Sequence, residues 1–414
     1  MRCMGRVAVL AAALGSGMGL AAPVAAQEAA QAAPGQDPRD AEIAELRRQL
    51  AQLAARIEAL ERARSATPAA APAPVPAPAA QVAAAAPVPA PTATVAPPAT
   101  RLSGRMYYNL SQVDERLAGV KTNRSGIGFD VRRFYLGVDH RIDATWALNL
   151  TTDFQYSSAI GSTQVFVKKA YVEGRFGPGL TVRAGSADMP WVPFAETWNG
   201  YRWIEPSLVD RLRFGTSADW GLHASGRWDA AGLDYAAALV GGGGFRNPTR
   251  SKRLDVETRL AYAPSAHTVL ALGGYSGTLG LDAQQRPALH TATRWTALLA
   301  YADGPNRLGA EYFLARNWND VVLPRRDEAS GYSLWGSVGI GAHGMALFAR
   351  YDRADLSRLQ DPALRQTYYN LGVEWPLAPG IRLATVLKHL DQRGTHGDLD
   401  QQGRELGVWG EFRF

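Results

Sequence analysis

The 414-residue sequence predicts an all-β fold: a 16-stranded antiparallel transmembrane β-barrel, preceded by a short α-helical coiled coil and a Pro/Ala-rich linker. Three observations predict it. Residues 101–414 carry many stretches, about ten to fifteen residues long, in which apolar and polar side chains alternate. Short turns and longer polar loops take turns between those stretches, and aromatic rings gather beside the short turns.

Residues 1–26 read as a cleaved secretory signal. Arg2 and Arg6 precede an apolar run from Val7 through Leu20, and small residues ending Val24-Ala25-Ala26 follow. The run is broken by glycines and is shorter than the ~20 residues of a membrane-spanning helix. Cys3, the single cysteine, leaves with the signal, so disulfides, thiolate metal sites and cysteine nucleophiles are excluded from the mature chain.

Residues 37–64 predict a coiled coil. Ile43, Leu46, Leu50, Leu53, Ile57 and Leu60 fall at alternating steps of three and four, the seam of a heptad repeat, and Asp37-Pro38 makes a sound helix start. Such a seam is an oligomerisation device, with two and three strands both open on Ile and Leu alone. Residues 65–100 contain ten prolines and no charge, which predicts an extended polyproline-like spacer.

In the barrel, Asn149, Thr151, Asp153 and Gln155 alternate with Trp146, Leu148, Leu150 and Phe154, and the last strand sets Glu405, Glu411 and Arg413 against Leu406, Val408, Phe412 and Phe414. One face suits lipid and the other water. Short turns fall at 143–145, 177–179, 230–232, 264–267, 303–305, 342–343 and 378–380. Loops fall near 116–126, 158–162, 188–217, 243–251, 279–290, 318–329, 356–365 and 393–402, and these connections join sixteen strands. Both ends then lie on the short-turn side, the periplasmic side of bacterial barrels. Trp146, Phe176, Trp228, Tyr262, Tyr301 and Trp375 sit near the turns as an interfacial girdle.

Of 44 basic and 38 acidic side chains, 8 and 7 lie in residues 1–100, leaving 36 and 31 for the barrel. That small basic surplus leans toward anions and, without basic runs, argues against nucleic acid. His223, His267, His290, His343 and His389 are scattered without metal-ligand spacing, and neither Gly-x-Ser-x-Gly nor His-Glu-x-x-His occurs. No catalysis, metal or cofactor is expected.

From about Phe129 to Arg227 the chain resembles the phosphate-selective porin O and P family. The matching residues are Val131-Arg132-Arg133-Phe134-Tyr135-Leu136-Gly137, Lys169-Ala170-Tyr171-Val172-Glu173, Val182-Arg183-Ala184-Gly185 and Pro193-Phe194-Ala195-Glu196. Trp203-Ile204-Glu205-Pro206-Ser207-Leu208-Val209-Asp210, Trp220-Gly221 and Ser225-Gly226-Arg227 continue the match. The resemblance implies a homotrimeric sixteen-stranded outer-membrane channel, set in lipid with its N-terminal arm in the periplasm, that passes small hydrophilic solutes and prefers anions, phosphate or small organic acids. Ser186-Ala187-Asp188 departs from the family, which commonly carries a more basic stretch there. The other reading of coil and spacer is a tether between the membrane and the cell wall.

The 188–217 loop, with three tryptophans, is expected to fold inward as a constriction. Glu196, Arg202, Glu205, Asp210, Arg211 and Arg213 are its candidate pore residues, the alternative being that Glu205 and Arg211 or Arg213 merely pair. Alternation points Arg133, Arg175, Arg183, Arg227, Arg253, Arg259, Arg294 and Arg350 from the wall into the lumen as anion rungs, of which Arg133, Arg183, Arg227 and Arg259 are the leading candidates. Asp153, Glu173, Asp255, Glu257 and Glu311 share that face, so many of these arginines should be paired.

Overall fold

In the computed structural model, which describes residues 99–341 and 344–414, the first strand pairs with both the second long strand and the last, and this closes the sheet. In chain order the strands are β1 (Ala99–Leu117), a two-residue β2 (Val120–Lys121), β3 (Gly126–Arg141), β4 (Trp146–Ser157), β5 (Ser162–Arg175) and β6 (Thr181–Asp188). They continue as β7 (Ala218–Trp228), β8 (Leu233–Val240), β9 (Asp255–Ser265), β10 (Thr268–Gly277), β11 (Ala292–Asp303) and β12 (Asn306–Arg316). The circuit ends with β13 (Glu328–Ile340), β14 (Met345–Asp355), β15 (Arg365–Ala378), β16 (Ile381–Arg393) and β17 (Gln401–Arg413). With β2 set aside as part of the first long loop, sixteen antiparallel strands form a barrel among the described residues. Closure leaves no unpaired edge, the one sheet arrangement hydrocarbon tolerates.

The predicted strand count and connections agree with this barrel. The signal (1–26), the coiled coil (37–64), nearly all of the linker (65–100) and the turn at 342–343 lie outside the described residues.

Register fixes which side chains meet lipid. Leu110, Leu136, Leu150, Leu272, Leu299, Leu371 and Leu406 point outward and are exposed, and Trp146, Phe176, Trp228, Tyr262 and Tyr301 are exposed beside the short turns. Asn109, Asp153, Glu173, Asp255, Glu257, Arg294, Asp352 and Glu411 are buried on the inward face. Such an assignment is forced, because a charge at mid-membrane depth on the lipid face costs roughly 2–4 kcal/mol for a cation.

Four register slips interrupt the ladder among the described strands: those between β9 and β10 and between β15 and β16 lie beside short turns, and two lie within the wall. Between Tyr107/Tyr108 of β1 and Val131/Phe134 of β3 the ladder slips, and Arg132 and Arg133 occupy the bulge. Across from β4, β5 pairs Thr151 with Lys169 but Thr152 with Val167, which leaves Lys168 as the extra residue. A bulge sets two residues against one. Val131 and Phe134 stay outward on either side of the first, as do Val167 and Ala170 on either side of the second, so each bulge delivers two adjacent basic side chains to the lumen.

The connection from β6 to β7 turns inward and contains two helices that strand alternation does not foretell, α1 (Val192–Asn199) and α2 (Leu208–Arg211). Proline in the first turn of α1 needs no amide partner, and Gly200 ends the helix in the left-handed region at φ 80°, its N–H bonded to the Glu196 carbonyl at 2.9 Å.

Candidate functional site

The inward loop rests on one half of the barrel because that half is lined by small and apolar residues. Trp191, Val192, Ala195, Leu208, Val209 and Phe214 pack on Ala238, Ala261, Ala271, Ala300, Phe313 and Ala315, which face inward from β8 through β12. Gly273 on β10 completes the seat, since a Cβ there would stand 2.6 Å from the Trp191 ring. The loop's far end inserts Trp203 and Ile204 among Tyr107, Phe348, Val386 and Trp409, so it crosses the lumen.

Polar groups lock the same seat. The Trp191 backbone N–H donates to Glu257 at 2.8 Å and its indole N–H to Glu311 at 2.8 Å, while Leu208 N–H reaches the other Glu311 oxygen at 3.1 Å. Arg259 donates to the Pro190 carbonyl at 3.0 Å, Arg294 to that of Phe214 at 2.5 Å and Arg350 to that of Pro206 at 2.5 Å. These three arginines, together with Lys388 on the Ile204 carbonyl at 2.9 Å, satisfy loop carbonyls that would otherwise be buried without partners.

The loop divides the free lumen into two chambers. On the short-turn side lies a cavity of about 850 Å³, lined by Arg105, Tyr135, Lys168, Lys169, Glu196 and Arg202 among others. On the long-loop side lies one of about 550 Å³, lined by Arg132, Glu205, Arg211, Arg213, Tyr368 and Lys388 among others. Loop charges therefore face both chambers, with the basic pairs of β3 and β5 on the opposing wall.

Most of these charges have fixed partners. Arg202 lies 2.6 Å from Glu196 and 3.7 Å from Asp210. Burial pushes the Glu196 carboxyl up, the Asp210 charge adds to this, and the nearby Arg202 and Lys168 cations only partly offset it, so it stands at about 7. Glu205 takes the opposite course: burial would raise it, but Lys388 at 3.0 Å, Arg132 and Arg211 outweigh burial and hold it down at about 2. Arg211 pairs with Asp352 at 3.0 Å and donates to Gln366 at 2.5 Å. On the wall, Arg133 pairs with Asp153 at 2.7 Å and Lys169 with Asp188 at 2.7 Å.

The other candidate rungs lie apart from this cluster. Arg183 is held by Glu173 at 2.7 Å, which also binds Arg175 at 2.6 Å. Arg227 sits at the short-turn rim, 3.8 Å from both Asp229 and Asp234. Arg259 is pinned beneath the loop, bonded to Asp234 as well as to Pro190. Arg253 is not on the wall: β9 begins at Asp255, and Arg253 belongs to the preceding loop, 3.7 Å from Asp282. Glu205 pairs with Lys388 rather than with Arg211 or Arg213.

Arg132, Lys168 and Arg213 line the chambers without a carboxylate within salt-bridge distance among the described residues. Lys168 lies over the Tyr135 ring at 4.4 Å. Arg213 is displayed by a left-handed backbone at φ 62°, with its carbonyl accepting from the Trp318 indole at 2.9 Å.

The family model for phosphate-selective porin O and P matches residues 101–395. The chain belongs to this porin family. Like its family, the porin is an outer-membrane channel. No curated protein matches it in sequence. Among solved structures it is similar in fold to an anion-selective porin from Comamonas acidovorans, with 14% identity and TM-score 0.57 over 77% of this chain and 100% of that one. The outer-membrane channel DcaP of Acinetobacter baumannii gives 9% identity and TM-score 0.57 over 77% and 98%. OmpT of Vibrio cholerae in its trimer form gives 13% and 0.51 over 77% and 100%.

Sequence alternation names Arg133 on the porin wall but passes over Arg132 and Lys168, because a strict period of two sends one residue of each basic pair to lipid. The signal was present in the spacing. Outward apolar residues recur three apart, Val131 to Phe134 and Val167 to Ala170, instead of two, and the residues between are charged.

Proposed function

We propose that this porin passes small hydrophilic solutes by passive diffusion with a preference for anions, phosphate or small organic acids. The observation that carries the reading is that Arg132, Lys168 and Arg213 line the chambers on both sides of a narrowed lumen with no carboxylate within salt-bridge distance among the described residues. Paired charges shape a transverse field, whereas an uncompensated guanidinium or ammonium raises the local concentration of anions and repels cations. Guanidinium groups also bind carboxylate and phosphate in two-pronged fashion. The likeness to an anion-selective porin supports the same reading.

Three copies assembled side by side, with the predicted coil of residues 37–64 in the periplasm, are part of this proposal, and the trimer form of the similar OmpT supports them. The test is bilayer recording of the purified protein in a gradient of potassium chloride, followed by phosphate and a dicarboxylate. The reversal potential is expected to favour chloride, and added anions are expected to reduce chloride current. A cation-selective reversal potential would refute the anion preference.

A further inference from the structure

The outer wall near the long loops is not uniformly apolar. On β3 and β9, outward residues stay apolar up to the outer ends, as Ile127 and Val256 show, and on β5 the uncharged Thr163 follows Val165. On β14 through β17 and on β1 they change abruptly to charge. Register places Asp114, Arg404, His389 and Tyr369 side by side in one row and Arg116, Gln402, Asp391, Thr367 and Arg353 in the next, immediately outward of the Leu406, Leu387 and Leu371 row. A shallow cavity of about 580 Å³ opens on this surface, on the far side of the wall from the pore.

The patch has a net positive balance. Arg393 pairs with Asp391 at 3.1 Å and Arg365 with Asp355 at 3.1 Å, while Arg116, Arg353 and Arg404 are exposed and have no carboxylate within salt-bridge distance among the described residues. Unpaired guanidinium groups directly above a hydrocarbon-facing leucine row sit at headgroup depth, where the available counter-charge is phosphate. Gln402 and Thr367 offer hydrogen bonds suited to sugar hydroxyls, and Tyr369 and His389 present rings 4.9 Å apart. The cores of interfaces between protein copies are depleted in charge, which disfavours a second chain on this surface.

We propose that this patch is a binding site for the phosphorylated sugar headgroup of an outer-leaflet glycolipid, seated by Arg116, Arg353 and Arg404. The inference rests on the barrel standing in the outer membrane with its long loops outward. It does not depend on what the pore conducts.

The test is native mass spectrometry and titration of the intact protein in detergent with a diphosphorylated lipid A, its dephosphorylated form and phosphatidylglycerol. Wild type is expected to retain the diphosphorylated glycolipid, with binding roughly tenfold weaker for each arginine lost in R116Q, R353Q and R404Q. Single-channel conductance of the triple variant is expected to match wild type, which also shows that its barrel is intact; R404K, which keeps the charge, covers the case in which the triple variant fails to fold and should bind more tightly than R404Q. Equal binding of the dephosphorylated lipid, or of phosphatidylglycerol, would overturn the proposal. So would a cysteine at Thr367 that cross-links neighbouring copies in membranes, because the surface would then be a protein interface.

Discussion

The Arg202 guanidinium stands 2.6 Å from Glu196 and 3.7 Å from Asp210, so one cation is shared by two acids inside the pore. With Glu196 raised to about 7 by burial and by Asp210, its proton is half lost near neutrality. Below that point the group is neutral and Arg202 answers Asp210 alone; above it the constriction gains one negative charge. Anion-over-cation permeability should therefore fall as pH rises from roughly one unit below 7 to one unit above, and E196Q should flatten the curve at its low-pH value. Reversal potentials across that range check both.

Arg132 and Arg183 both face the lumen, yet among the described residues a carboxylate stands within salt-bridge distance of Arg183, Glu173 at 2.7 Å, and none does so for Arg132. Neutralising Arg132 with Lys168 should lower the chloride-over-potassium permeability ratio several-fold. Neutralising Arg183 alone should change it less, since freed Glu173 still holds Arg175 at 2.6 Å. Equal effects in bilayer recordings would mean that pairing does not govern which cations a solute feels.

Trp191 is completely buried and carries two of the bonds that seat the loop. Trp191→Ala should remove about 3–5 kcal/mol of local packing and leave Glu311 without its indole donor. The loop should then leave its seat part of the time, seen as larger and noisier conductance steps while the barrel itself still resists heating in detergent.

Lys388 is buried between Glu205 at 3.0 Å and Glu405 at 3.7 Å and also caps the Ile204 carbonyl. Lys388→Met would strand a carboxylate that the wild-type pocket keeps ionised far below neutral pH. The expected loss is on the order of 3–5 kcal/mol. Urea unfolding of the refolded variant measures it, and a double variant with Glu205→Gln should recover part of the loss.

Strands and connections were legible because lipid imposes a period of two over the full membrane thickness, as Trp146, Leu148 and Leu150 against Asn149, Thr151 and Asp153 illustrate. The inward course of the 188–217 loop could be expected from its aromatic content. Its seat could not, because Ala238, Ala261 and Ala271 look like unremarkable lumen positions until Trp191 and Phe214 are placed on them. The roles of individual arginines were the least legible part. Arg259, Arg294 and Arg350 alternate like solute rungs, and only the positions of the Pro190, Phe214 and Pro206 carbonyls show that they hold the loop.

The slips in β3 and β5 separate two demands that a membrane wall normally ties together. Changing a residue in a regular strand alters one face, and inserting one reverses both faces beyond it. Here a single added residue is absorbed locally, so the greasy exterior keeps its pattern while the water-filled side gains a cation. Gains or losses of one codon at these two places are thus a route by which related chains can retune permeation without disturbing how they sit in lipid.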